Sequence, residues 1–129
     1  MVVKLDGKLV LVAEDQALVG IGVTECLEER GIFTAGSFSS SAEALTWLSD
    51  HTPDAAVIDV HLEDGACVGL ARELTKRFVP FIVFSGTLQS SNADAAFASA
   101  ILMEHLVAAL EHMIEQRPPK GRLPRARRN

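Results

Sequence analysis

Two short, uninterrupted apolar runs, Leu9-Val10-Leu11-Val12-Ala13 and Ala55-Ala56-Val57-Ile58, each end in acidic side chains. Runs of this length without polar alternation predict strands buried on both faces, as in parallel sheets. Glu14-Asp15 follows the first run and Asp59 follows the second. If the two strands lie side by side, three carboxylates converge at their carboxyl ends. Three anions in one cleft are costly unless a divalent cation or a proton holds them together.

The rest of the pattern alternates helix and strand. Residues 8–13 form the first strand, and a helix is expected from Ala17 to Arg30, with Leu18, Ile21, Gly22, Glu25 and Leu27 at mixed helical spacing. Gly31 closes it as a C-terminal cap. Ile32 to Ala35 reads as a second, weaker strand. Ser39-Ser40-Ser41 offers N-caps for a helix from Ala42 to about Ser49, with Leu45 and Leu48 inward. Pro53-Asp54 breaks the chain before the strand that ends at Asp59, and Glu63-Asp64-Gly65 marks a turn. Val68 to Arg77 is expected as helix and Val79 to Phe84 as a fourth strand, with Pro80 tolerable near its start. Such alternation predicts right-handed βαβ units and a parallel sheet covered on both faces. Ligands of such sheets bind beyond the carboxyl ends of the strands, where strand order reverses. Glu14, Asp15, Asp59 and Ser85 all fall at ends of that type, and no glycine-rich phosphate loop follows the first strand. A dinucleotide site is therefore disfavoured.

Charge changes the picture at one end. Net charge is −5 over 129 residues, yet residues 1–116 hold six basic and all seventeen acidic residues, a net −11. That balance argues against direct nucleic-acid binding by the domain. Residues 117–129 hold the other six basic residues with three prolines and a single Leu, and are expected to be a disordered basic tail. No apolar stretch approaches a membrane span and the start lacks a secretory pattern, so a cytoplasmic location is the expectation. Cys26 and Cys67 show no metal-site spacing and are expected as buried, reduced, small hydrophobes. His51, His105 and His112 share no metal spacing either, and surface positions are expected for them.

Three segments, in order, carry a resemblance: Val10-Leu11-Val12-Ala13-Glu14-Asp15-Gln16, Pro53-Asp54-Ala55-Ala56-Val57-Ile58-Asp59-Val60 and Phe84-Ser85-Gly86. Together they resemble the receiver domain of two-component response regulators over about residues 8–116. Pro80-Phe81-Ile82-Val83-Phe84-Ser85-Gly86-Thr87 further looks like a single-domain branch with a Phe-Ala-Thr-Gly-Tyr-like segment, Ser85 standing for its Thr and Thr87 for its Tyr. The resemblance implies a flavodoxin-like, doubly wound α/β domain over residues 1–116, strand order 2-1-3-4, with a fifth strand in doubt.

It also implies roles. Asp59 would be the phosphoacceptor, attacking the phosphorus of a phosphohistidine on a sensor histidine kinase or phosphotransfer protein. Asp15, Asp59 and the backbone carbonyl of His61 would bind Mg²⁺, and Glu14 would hold the metal's waters. Ser85 would donate to a phosphoryl oxygen. The His61 side chain is expected in solvent. Such a domain is no enzyme on a separate substrate; its phosphotransfer and dephosphorylation are self-catalysed with Mg²⁺. A phosphorelay role follows, with an unknown downstream protein, no membrane contact, and homodimerisation compatible with it. The fourth helix, the fifth strand and the last helix would form the switching surface.

The pattern breaks at the fifth strand. Members of the family end it in Lys-Pro, but no Lys stands between Lys76 and Lys120. After Ala93 to Ala100, the segment from Ile101 onward has Leu102, Leu106, Ala109, Leu110 and Met113 at the spacing of a final helix. About one strand is absent between them. The strand is lost, or Ala100 to Met103 replaces it with Glu104 or His105 near the Lys position, or a segment is missing from this sequence. Two rival readings follow. A pseudo-receiver would act as a phosphorylation-independent interaction module, which the absent Lys favours. An aspartate-nucleophile phosphatase would resemble its relatives in an Asp-x-Asp pair, whereas Val60-His61 follows Asp59 here.

Overall fold

The computed structural model describes residues 6–84 and 106–115. The elements are β1 (Leu9–Ala13), α1 (Ala17–Glu28), β2 (Phe33–Phe38), α2 (Ser41–Leu48) and β3 (Ala55–Asp59). Then come β4 (His61–Leu62), β5 (Gly65–Ala66), α3 (Val68–Lys76) and β6 (Phe81–Phe84). A further helix, α4, covers described residues 106–115. The main sheet is parallel, in the order β2-β1-β3-β6, with the expected fourth strand appearing as β6. This is the doubly wound α/β arrangement that the alternation predicts. The expected fifth strand, Ser85, Glu104, His105 and the tail at 117–129 lie outside the described residues.

Period-two alternation in the central strands divides the core. Val10 and Val12 of β1, with Ala55 and Val57 of β3, pack against Val23 and Leu27 of α1 and Leu106, Val107 and Leu110 of α4. Leu11, Ala13, Ala56 and Ile58 point to the other side, against Ala44 and Leu48 of α2 and Leu70 and Leu74 of α3. All five residues of β3 are buried. Each fully enclosed Leu contributes about 1.5–3 kcal/mol relative to exposure, and truncating Leu11 or Leu70 to Ala would cost about 2–5 kcal/mol.

Several boundaries differ from expectation for local reasons. α1 ends at Glu28, and Gly31 (φ +82°) then turns the chain, donating to the Glu28 carbonyl at 3.0 Å while Ile32 N–H reaches back to the Leu27 carbonyl at 3.2 Å. The inward residues of α1 are Gly20, Val23 and Leu27, and Leu18 and Ile21 face out, 84% and 51% exposed. β2 runs on to Phe38 through an irregularity where Val12 faces the gap between Ala35 and Phe38. Gly36 (φ +116°) sits there, with the Val12 carbonyl where a Cβ would go. α2 starts at Ser41 because the Ser40 hydroxyl accepts the Glu43 N–H at 3.1 Å. Leu48 is buried as expected, Leu45 only partly.

The turn at Glu63-Asp64 proved to be the tip of an antiparallel hairpin pairing His61 with Ala66 and Leu62 with Gly65. Cys67 is buried at the start of α3, whereas Cys26 is only half-buried and its thiol accepts from Arg30 Nη1 at 3.2 Å. His51 and His112 are exposed as expected, and His51 stacks on Trp47 with ring centroids 4.5 Å apart.

Candidate phosphoacceptor and metal site

Register places the acidic residues. β1 and β3 pair in parallel with Ala13 beside Ile58, so the next residues along, Glu14 and Asp59, leave the sheet side by side. On the other flank Asp59 pairs with Phe84, and Val60 N–H donates to the Phe84 carbonyl at 2.8 Å. The chain passes from β1 to β2 on one side and then to β3 on the other, so this crevice is where strand order reverses.

One carboxylate oxygen from each of Glu14, Asp15 and Asp59 can be chosen so that all lie within 4.8 Å of one another. Glu14 and Asp59 are buried, 2% and 3% exposed, while Asp15 stands at the mouth. Glu14 has a second duty that sequence reading missed. Its Oε2 accepts the Gln16 N–H at 2.9 Å, at the start of α1, where the Gln16 side chain makes no cap. Its Oε1 is buried with no hydrogen-bond partner. An oxygen facing other carboxylates gains a partner only when one of them holds a proton or a cation sits between them. Burial, then the Asp59 and Asp15 carboxyls, push Glu14 up to about 8 against the opposing pull of the Gln16 N–H.

His61 is exposed, in keeping with a solvated ring. Its N–H donates to Asp59 Oδ1 at 3.3 Å. Cys67 N–H donates to the Val60 carbonyl at 3.2 Å, which makes His61 and Ala66 the pair that exchange no ladder bonds. The N–H and C=O of one strand residue point to the same edge, so the His61 carbonyl faces the edge on which its N–H meets Asp59. Cys67 lies close enough for the Asp59 charge to add to burial in raising its thiol. The structure therefore gathers Glu14, Asp15, Asp59 and the His61 backbone. Ser85 lies outside the described residues.

Three of the basic groups among the described residues are engaged elsewhere. Arg77 donates to Glu73 at 2.7 Å and to the Leu48 carbonyl at 2.6 Å, Lys76 lies 3.7 Å from Glu73, and Arg30 reaches Cys26. The donor set is hard oxygen, partly buried and partly open to water, which fits Mg²⁺. The orphaned Glu14 Oε1 fits a site that expects a further occupant.

Comparison with known proteins agrees with this geometry. The response regulator receiver domain family matches residues 10–108. The transcriptional regulatory protein PdtaR of Mycobacterium tuberculosis is 31% identical over 88 residues, 67% of this chain. The match spans only 43% of that relative's length. Among solved structures, the receiver domain of the Francisella response regulator 1452 superposes with a TM-score of 0.66 at 20% identity, covering 85% of this chain and 98% of the other. The receiver domain of Erythrobacter litoralis PhyR gives 0.69 at 14% identity, covering 92% and 98%. With strand order, strand-end acids and family match in agreement, the chain belongs to the response regulator receiver domain family of two-component signalling.

Proposed function

We propose that Asp59 accepts a phosphoryl group from a histidine kinase or phosphotransfer protein and that Glu14, Asp15 and the His61 carbonyl serve it with Mg²⁺. The observation that carries this reading is the buried Asp59 carboxylate beside the unpartnered Glu14 Oε1. In the reaction, an Asp59 oxygen forms the new P–O bond as the P–N bond to a phosphoimidazole breaks, and the departing imidazole keeps the electron pair. Asp15 and Asp59 would hold the metal directly, with the His61 carbonyl, and Glu14 would orient its waters. Bound there, Mg²⁺ would neutralise the carboxylates and the charge on the transferring group. Ser85 is proposed as a donor to the phosphoryl oxygens. The proposed unit spans residues 1–116, with 117–129 a basic tail.

Protein delivery of the phosphoryl group is supported by the surface beside the crevice. Leu18 and Ile21 stand nearly one turn apart on α1, directly after the acidic pair, and both are exposed. Among the described residues no helix is long and apolar enough to cross a membrane. We place the domain in the cytoplasm, where kinase and Mg²⁺ are available.

The test is incubation with acetyl phosphate and Mg²⁺ followed by phosphate-affinity electrophoresis. A retarded band that disappears in Asp59→Asn is the expected result, and its absence in the native protein would sink the reading. The rival, a pseudo-receiver, is favoured by the lack of any Lys between Lys76 and Lys120. It predicts no phosphate uptake and no Mg²⁺-dependent change in the amide resonances around Asp59.

A further inference from the structure

The hairpin that follows Asp59 does more than turn the chain. Its tip residue Asp64 accepts the Ser41 N–H at 2.9 Å and the Ala42 N–H at 3.0 Å, one on each carboxylate oxygen. These are two of the first N–H groups of α2, which have no partner inside the helix. Its neighbour Glu63 donates its N–H to the Ser39 carbonyl at 2.9 Å and accepts the Ser39 hydroxyl at 3.3 Å. The two cap donors keep the Asp64 carboxyl below the usual carboxylate range. Thus α2, only eight residues long, shares its N-terminal cap between Ser40 and a segment more than twenty residues downstream.

At its other end the hairpin is tied to the acceptor, because His61 N–H donates to Asp59 Oδ1. The route from acceptor to helix is Asp59, His61, the two-residue strands and Asp64. Phosphorylation turns one carboxylate oxygen of Asp59 into a bridging oxygen, which loses charge and accepts hydrogen bonds poorly. The His61 N–H, 3.3 Å from Oδ1, loses a charged acceptor in either case, because Oδ1 becomes the bridging oxygen or, when Oδ2 takes the phosphoryl group, a neutral carbonyl oxygen. β3 is enclosed on both faces and cannot follow, so the adjustment falls to the hairpin.

We propose that the β4–β5 hairpin couples the state of Asp59 to the N-terminus of α2, making the α2 surface that carries Trp47 a responding surface of this chain. The inference rests on Asp59 being the acceptor. Trp47 is the sole tryptophan, packs against Phe38 with ring centroids 6.2 Å apart, and stacks on His51.

The experiment adds beryllofluoride and Mg²⁺ to the full chain, with acetyl phosphate uptake measured in parallel by phosphate-affinity electrophoresis. In the native protein the Ser41 and Ala42 amide resonances shift and Trp47 emission changes. In Asp64→Ala, uptake persists while both responses are lost. Asp64→Asn keeps one acceptor oxygen and shows a reduced response, which guards against an Ala variant that fails to fold. Uptake with no response in the native protein, or an undiminished response in Asp64→Ala, overturns the coupling alone. No uptake removes the acceptor reading, and the coupling with it.

Discussion

Leu9 and Asp54, forty-five positions apart, exchange two hydrogen bonds: Leu9 N–H donates to Asp54 Oδ2 at 2.8 Å, and Asp54 N–H donates to the Leu9 carbonyl at 2.7 Å. The pair fixes the start of β1 against the start of β3, and so the register that later sets Glu14 beside Asp59. Replacing Asp54 by Ala leaves the partly buried Leu9 N–H without that partner. A loss of about 1–3 kcal/mol is expected. Urea denaturation of Asp54→Ala and Asp54→Asn checks it, with Asn, which keeps one acceptor oxygen, nearer the native value.

Glu14 makes the metal-free domain pH-dependent. The folded protein keeps the Glu14 proton up to about 8, whereas the unfolded chain releases it near the ordinary carboxyl value of 4.5. Between those values the unfolded state binds fewer protons, so stability falls as pH rises through the window. Denaturation in EDTA at pH 5, 7 and 8.5 should show that fall, and Glu14→Gln should flatten it. The same proton competes with Mg²⁺, so metal affinity should rise over the same window. Calorimetric titration with Mg²⁺ at each pH would detect it, and an affinity independent of pH would count against a protonated Glu14.

Gly31 tests the backbone rather than a side chain. Its φ of +82° is costly for any L-residue, and an added Cβ would collide with the Asp6 carboxylate. Gly31→Ala should destabilise the domain by about 1–2 kcal/mol, lowering the urea midpoint without changing the slope. Gly22 is exposed within α1 with nothing within 4 Å of an added Cβ, and serves as the control. There Gly→Ala should stabilise by about 0.5–1 kcal/mol.

Arg77 joins the ends of two helices. From the C-terminus of α3 it donates to the last carbonyl of α2, Leu48, at 2.6 Å, to the His51 carbonyl at 3.3 Å, and to Glu73 at 2.7 Å. A lysine has one nitrogen and cannot match this fork. Arg77→Lys and Arg77→Ala should both lower the melting temperature, Ala by the equivalent of about 1.5–3 kcal/mol. Equal stability of all three proteins would mean that the bond to Leu48 adds nothing.

The parts of this molecule that could be read from its sequence are those with a strong local signal. β1 and β3 are short apolar runs closed on both faces, and the acids at their ends are placed by register alone. α1 was harder, since it is apolar nearly all round. Leu18 and Ile21 look as suitable for the core as Val23 and Leu27, and only packing decides between them. Strands of two residues, such as His61–Leu62, have no period to detect. The Asp64 cap and the Leu9–Asp54 exchange join positions far apart in the chain, so no local pattern encodes them. The second duty of Glu14, holding the Gln16 N–H, likewise depends on how α1 approaches the sheet.

The complete burial of β3 has a consequence for timing. Amides in a strand enclosed by two cores open only when much of the domain opens, whereas a hairpin of two-residue strands, with Leu62 as its buried anchor, opens at lower cost. Between Asp59 and His61 the chain therefore passes from a long-lived segment to a short-lived one. The reacting carboxylate is held more firmly than the hairpin beyond it, so a fixed acceptor and a more pliant neighbour stand two residues apart.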